Sequence, residues 1–166
     1  MINLRQLLRG ARLAAVLVAA LAISACANNN AANPMGGNGV AATPGSQQDF
    51  VVNVGDRVFF STDSSDLSPQ AHATLDKQAQ WLNHYPQYTF VIEGNADERG
   101  TREYNLALGA RRAQVVRDYL VSRGVAANRM STISYGKERP VATCDDISCW
   151  SQNRRAVTAL HGGTNS

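Results

Sequence analysis

Apolar positions along this chain fall into one continuous run, one gap and then a series of periodic segments. Residues 13–23 are apolar without interruption, and residues 27–48 carry no charge and few large apolar groups. From Phe50 onward the pattern becomes periodic. Residues 50–54 (FVVNV) and 57–60 (RVFF) have strand composition and are separated by Gly55-Asp56, which predicts a first strand region broken at a turn. A polar loop, residues 61–66, follows. Ser68-Pro69 reads as a helix start, with Ser at the N-cap and Pro at the first helical position. That helix is predicted to run to about His84, with Ala71, Leu75, Gln78, Ala79 and Leu82 on one face, and to close before Pro86.

Residues 88–93 form a second strand-like run, which ends in the turn Gly94-Asn95-Ala96-Asp97-Glu98-Arg99-Gly100. Thr101 is the predicted N-cap of a long helix over 101–123, with Glu103 in the first turn and Gly124 just past its end. Residues 130–135 alternate as a half-buried strand. A short helical stretch around 150–154 precedes a last strand over 156–160. The order is β-α-β-α-β-β, a mixed α/β (α+β) arrangement. Its helical crossovers imply parallel pairing for much of the sheet.

One residue breaks the pattern of the long helix. At about 100° per residue, Tyr104, Leu108, Val115, Val116 and Tyr119 share an apolar stripe. Arg112 falls in its middle, Asn105 beside it, and Arg111 at the solvent edge. A buried arginine needs a partner, because an unpaired buried charge is very costly. Asp97, at the mouth of the preceding turn, is the nearest candidate upstream. Two readings stay open: a structural Asp97–Arg112 ion pair, or a zwitterion socket in which Asp97 receives an ammonium and Arg112 a carboxylate.

The stretch GNADERGTREYNLALGARR, residues 94–112, resembles the core motif of the OmpA C-terminal-like family of peptidoglycan-binding domains. Ser134-Tyr135-Gly136-Lys137-Glu138-Arg139-Pro140 and Asn153-Arg154-Arg155-Ala156-Val157 fit the same pattern. The resemblance covers roughly residues 51–161. It implies a four-stranded mixed sheet of order 1-4-2-3, helices on one side, and an antiparallel last strand. It also implies that Asp97 and Arg112 clasp the D-centre of meso-diaminopimelate in the peptide stem. Asp63 and Arg99 occupy ligand-contact regions of the family, with a solvated surface charge as the alternative for each, and Asn105 is expected to help by hydrogen bonding within the loop or to the ligand. Two positions depart from its pattern: Asn95 stands where His is common, and Ser61 where an acidic residue is frequent. For lipoproteins of this family the resemblance further implies TolB and other Tol proteins as partners, an outer-membrane location facing the periplasm, and a role in membrane invagination at division.

The amino-terminal segment agrees with export. Arg5, Arg9 and Arg12 precede the 13–23 run, which is too short to span a bilayer comfortably. Ile23-Ser24-Ala25-Cys26 then reads as a lipobox, cut before a lipid-modified Cys26; an ordinary signal peptide or an uncleaved anchor is the alternative. Residues 1–25 are thus assigned to a leader, 26–49 to a lipidated start and flexible linker, 50–162 to the domain and 163–166 to a tail. The linker is predicted to span about 25 Å as a coil.

Charge looks different once the leader is set aside. The chain has 16 Lys+Arg against 13 Asp+Glu and a sequence pI near 9.0. Loss of the three leader arginines leaves 13 of each, a net charge of zero. No basic stripe with stacking aromatics suggests nucleic acid. Cys144 and Cys149 are too few for a zinc site, and the three histidines are scattered, so no metal or cofactor is expected. A disulfide closing a small exported loop is the simplest account of the two cysteines, with free thiols as the alternative. Glu93, Asp97 and Glu98 could serve a glycosidase, but Asp97 is matched to Arg112, and Arg99 and Arg102 lie near the other two. No nucleophile triad, phosphate loop or HExxH motif is present. An enzyme is not expected.

Overall fold

The computed structural model describes residues 42–162. A short helix, α1 (Gln47–Asp49), runs directly into a π-helical turn over Phe50–Val54. Strand β1 (Arg57–Phe59), helix α2 (Pro69–His84), strand β2 (Thr89–Asn95) and helix α3 (Arg102–Ser122) follow. Strand β3 (Met130–Gly136), helix α4 (Ile147–Asn153) and strand β4 (Arg155–His161) complete the chain. The sheet has the order β1-β4-β2-β3. β2 pairs with β3 in parallel, and β4 lies antiparallel to both β1 and β2.

The helix ends follow their local signals. Ser68 caps α2 by accepting from Ala71 N, with Pro69 at the first position. Thr101 caps α3 by accepting from Tyr104 N. Phe90, Ile92 and Gly94 form the buried face of β2. Leu75 and Leu82 of α2 and Val116 and Leu120 of α3 are buried in the same core. At the start of β2, Arg129 donates to the carbonyls of Leu82, Tyr85 and Tyr88 at 2.8, 3.1 and 2.9 Å. That cation ties α2, the following turn and the sheet together.

Three expectations are not met in the fold. Residues 50–54 are not a strand. Ser46 caps the segment by accepting from Asp49 N, and Gly55 ends it at φ 92°. Phe50 alone is buried, 4.9 Å from Trp81 between ring centres, while Val51 and Val52 are exposed. One aromatic anchor and a capped turn override the β-branched composition. Order also begins before residue 50: Asp49 Oδ2 accepts from Trp81 Nε1 and from Gly45 N, both at 2.9 Å, and Tyr88 Oη donates to Gly45 O at 2.7 Å. Residues 43–49 therefore pack on the domain, although their composition resembles the linker.

The buried face of α3 is also displaced. It consists of Asn105, Leu108, Gly109, Arg112, Ala113, Val116 and Leu120. Tyr104, expected on the stripe, is exposed, and Val115 and Tyr119 are half-buried. Two small residues, Gly109 and Ala113, face inward and let the helix approach the sheet. Cys26 and the rest of the expected leader and early linker lie outside the described residues.

Candidate functional site

A cleft of about 250 Å³ opens where β2 ends and α3 begins. Asp97, Arg99, Asn105, Arg112 and Asp63, all singled out from the sequence, line it together. Arg154 lines it too, brought in by the start of β4. Arg111, one residue from Arg112, points to solvent.

The expected Asp97–Arg112 ion pair does not form. Arg112 is fully buried and donates to three backbone carbonyls: Ser64 at 2.9 Å, Asn95 at 2.9 Å and Ser61 at 3.0 Å. It thus binds the loop after β1 to the end of β2. Among the described residues it has no carboxylate within ion-pair distance. Burial, with Arg154 nearby, pulls its pKa down to about 10. A guanidinium has five donors, so three carbonyls leave two N–H groups uncommitted and the charge without a direct counter-ion.

Asp97 is paired elsewhere. Its Oδ2 accepts from Arg99 Nη2 at 2.6 Å and from Arg154 Nη1 at 3.3 Å. Arg99 Nε and backbone N reach Oδ1, each at 3.2 Å. Burial alone would raise this carboxyl, but the bonds from Arg99 and Arg154 outweigh it and hold it below its ordinary value. Asn105, buried one turn into α3, does not reach Asp97 or Arg112; its Nδ2 donates to Arg99 O at 2.8 Å and shapes the turn. Asp63, at φ 57°, accepts from the Tyr104 hydroxyl across the mouth of the cleft. That bond raises the Tyr104 phenol above its ordinary value.

Three participants were missed in the sequence. Arg154 is buried, with Nε donating to Phe60 O at 3.0 Å. Its signal was the pair Arg154-Arg155 at the junction of α4 and β4, where both arginines are buried and Arg154, the residue before the strand, turns into the cleft. Tyr104 closes the mouth because it lies off the buried stripe. Trp150 stacks under Arg99, 4.1 Å from guanidinium carbon to ring centre. Arg155 is buried on its own, bonded to the carbonyls of Asn153 and Arg139 at 3.4 and 3.2 Å. Beyond the cleft, Cys144 and Cys149 are joined in a disulfide, with Cα atoms 5.6 Å apart.

Residues 59–154 match the OmpA family. The chain belongs to the OmpA family. The matched segment of this OmpA-family chain starts within β1 and ends at Arg154, so it holds every residue that lines the cleft. The chain is 70% identical over 151 residues to the peptidoglycan-associated lipoprotein of Mesorhizobium japonicum, covering 88% of this chain and 89% of that one. It is 44% identical over 145 residues to the protein of the same name from Haemophilus influenzae, covering 86% and 91%. The crystal structure of the peptidoglycan-associated lipoprotein from Burkholderia pseudomallei superposes with a TM-score of 0.62 at 46% identity, over 64% of this chain and 90% of that one. The C-terminal domain of Helicobacter pylori MotB gives a TM-score of 0.62 at 23% identity, over 66% and 87%, a likeness of fold alone.

Proposed function

We propose that this protein is an envelope lipoprotein that binds peptidoglycan noncovalently through the stem peptide. Its relatives are named for that association. The observation that carries the reading is the cleft itself, which sets a buried cation without a counter-ion beside a carboxylate. A meso-diaminopimelate end bears an ammonium and a carboxylate on one carbon. Asp97 supplies acceptors for the ammonium, and Arg112 supplies the charge for the carboxylate. Asn105 and Asp63 frame the group, and Arg99 flanks Asp97 at the edge of the cleft. Cys26 carries the lipid and holds the chain in the outer membrane, with the domain in the periplasm. The Tol proteins are its partners, and TolB competes for a surface that overlaps the cleft. The whole is a tie between membrane and wall, which draws the outer membrane inward at division.

A wall-active enzyme is the weaker reading. Asp97 lines the cleft, Glu98 bonds to the Trp150 indole outside it, and Glu93 lies at a strand position whose neighbours Ile92 and Gly94 face the core. The three carboxylates do not face one another across a substrate path.

Pull-down with purified sacculi tests the proposal. Asp97→Asn should lose wall binding, by roughly 30-fold or more for one removed charge partner, with circular dichroism unchanged. Arg112→Ala should lose binding and also stability, since it frees three carbonyls. Arg111→Ala should bind like the wild type. Release of muropeptides by the wild type would favour the enzyme instead, and failure to capture TolB would leave a wall binder without a Tol partner.

A further inference from the structure

The carboxylate that should receive the ligand ammonium is already filled. Asp97 Oδ1 accepts from Arg99 N and Nε, and Oδ2 accepts from Arg99 Nη2 and Arg154 Nη1. A carboxylate offers about four lone-pair positions. An incoming ammonium therefore needs one donor to leave. Arg154 is held fast: its side chain is 8% exposed, and its Nε is bonded to Phe60 O. The Arg99 side chain is 40% exposed and can leave by rotation about its own bonds.

What retains Arg99 lies outside the cleft. The Trp150 ring packs against its guanidinium at 4.1 Å. The indole Nε1 donates to Glu98 Oε1, on the residue before Arg99, so the ring is held at both its face and its edge. Trp150 sits on α4, whose start is closed by the Cys144–Cys149 disulfide and capped by Asp146, which accepts from Ser148 N at 2.6 Å.

We propose that Trp150 is a positioning residue that braces Arg99 on Asp97, making Arg99 a built-in competitor for the ligand's ammonium group. This inference rests on the socket reading of Asp97. Trp150 then sets affinity without touching the ligand. Apparent affinity falls by the fraction of molecules in which Asp97 is accessible, and stacking on Trp150 lowers that fraction. An exposed cation–aromatic contact corresponds to about a two- to fivefold change in such an equilibrium. Removing the ring should therefore tighten binding. A residue that only supported the fold would, on removal, weaken binding or leave it unchanged.

Two readouts on the same variants test this. The first is nitrogen NMR of the Arg99 Nε–H without added muropeptide. The signal should be protected from exchange in the wild type and in Trp150→Phe, which keeps a stacking ring, and should exchange about two- to fivefold faster in Trp150→Ala. The second is titration with a meso-diaminopimelate muropeptide. Trp150→Ala should bind about two- to fivefold tighter than wild type, and Trp150→Phe should bind like wild type, with thermal unfolding showing all three folded. Equal or weaker binding by Trp150→Ala, its failure to fold, or an Arg99 Nε–H that ignores the substitution, overturns the proposal. If the wild type binds no muropeptide while Arg99 still responds to Trp150→Ala, the socket reading has failed and takes the competitor role with it; the brace alone then stands.

Discussion

Gly109 of α3 lies against Gly94 of β2 so closely that a Cβ on Gly94 would meet the Gly109 carbonyl oxygen at 1.8 Å. A Cβ on Gly109 would in turn meet Ser134 Oγ at 2.4 Å and Gly94 O at 2.8 Å. This contact sets how near the helix comes to the sheet. Arg112 is one turn further along α3, and only at that depth does it reach the carbonyl of Asn95. The two glycines place the cation at the strand end.

Gly94→Ala or Gly109→Ala should therefore push α3 off the sheet. Overpacking of this kind costs about 1–3 kcal/mol. Urea unfolding should show that loss, and wall binding should fall even at temperatures where the variant is folded. A variant with wild-type stability would show that the helix can shift without cost.

Much of this was legible because local signals and burial agreed. Ser68-Pro69 and Thr101 start helices where their chemistry says they should, and Arg112 betrayed a site by sitting on an apolar face. The failures share one cause, tertiary contacts that leave no periodic mark. Phe50–Val54 has strand composition but turns about a single aromatic against Trp81. Asp97 and Arg112 were matched from the sequence, yet Arg99, two residues from Asp97, and Arg154, 57 residues away, take that pairing. Backbone carbonyls as partners for Arg112 cannot be read from side-chain identities at all.

Acid should act on Asp97 in a definite direction. Its carboxyl titrates below the ordinary 3.8 in the folded protein, held there by Arg99 and Arg154 against the effect of burial. The unfolded chain titrates near that ordinary value. The stability from this group is thus complete above pH of about 4 and is lost as pH falls through the folded value. Carbon NMR of the Asp97 carboxyl should give a midpoint below 3.8, and Asp97→Asn should flatten the acid limb of the stability curve. A midpoint above 3.8 would mean that burial dominates and that the two arginines do not hold the charge in solution.

The disulfide is a small contributor by its loop length. Chain entropy for so short a loop gives about 2 kcal/mol or less. Thiol counting on exported, denatured protein should find Cys144 and Cys149 blocked until a reductant is added. The Cys144→Ser, Cys149→Ser double variant should remain folded with slightly lower stability. Two reactive thiols in unreduced material would contradict the linkage.

Anchoring is tested at Cys26. Mass spectrometry of membrane-extracted protein should show a chain that starts at Cys26 and carries a thioether-linked diacylglycerol and an N-acyl group. Each buried CH₂ adds about 0.8 kcal/mol of membrane affinity, so several chains hold firmly. Cys26→Ala should leave the membrane fraction after leader cleavage. An unmodified Cys26 would remove the anchor from the account.

The most direct measurement is a paired titration with muropeptides that differ only at the third stem residue, meso-diaminopimelate in one and lysine in the other. Lysine lacks the carboxylate that answers Arg112. The account predicts that the meso-diaminopimelate muropeptide binds tighter by about 30-fold or more, the effect of removing one partner of a desolvated charge pair. Equal affinity for the two muropeptides would contradict it.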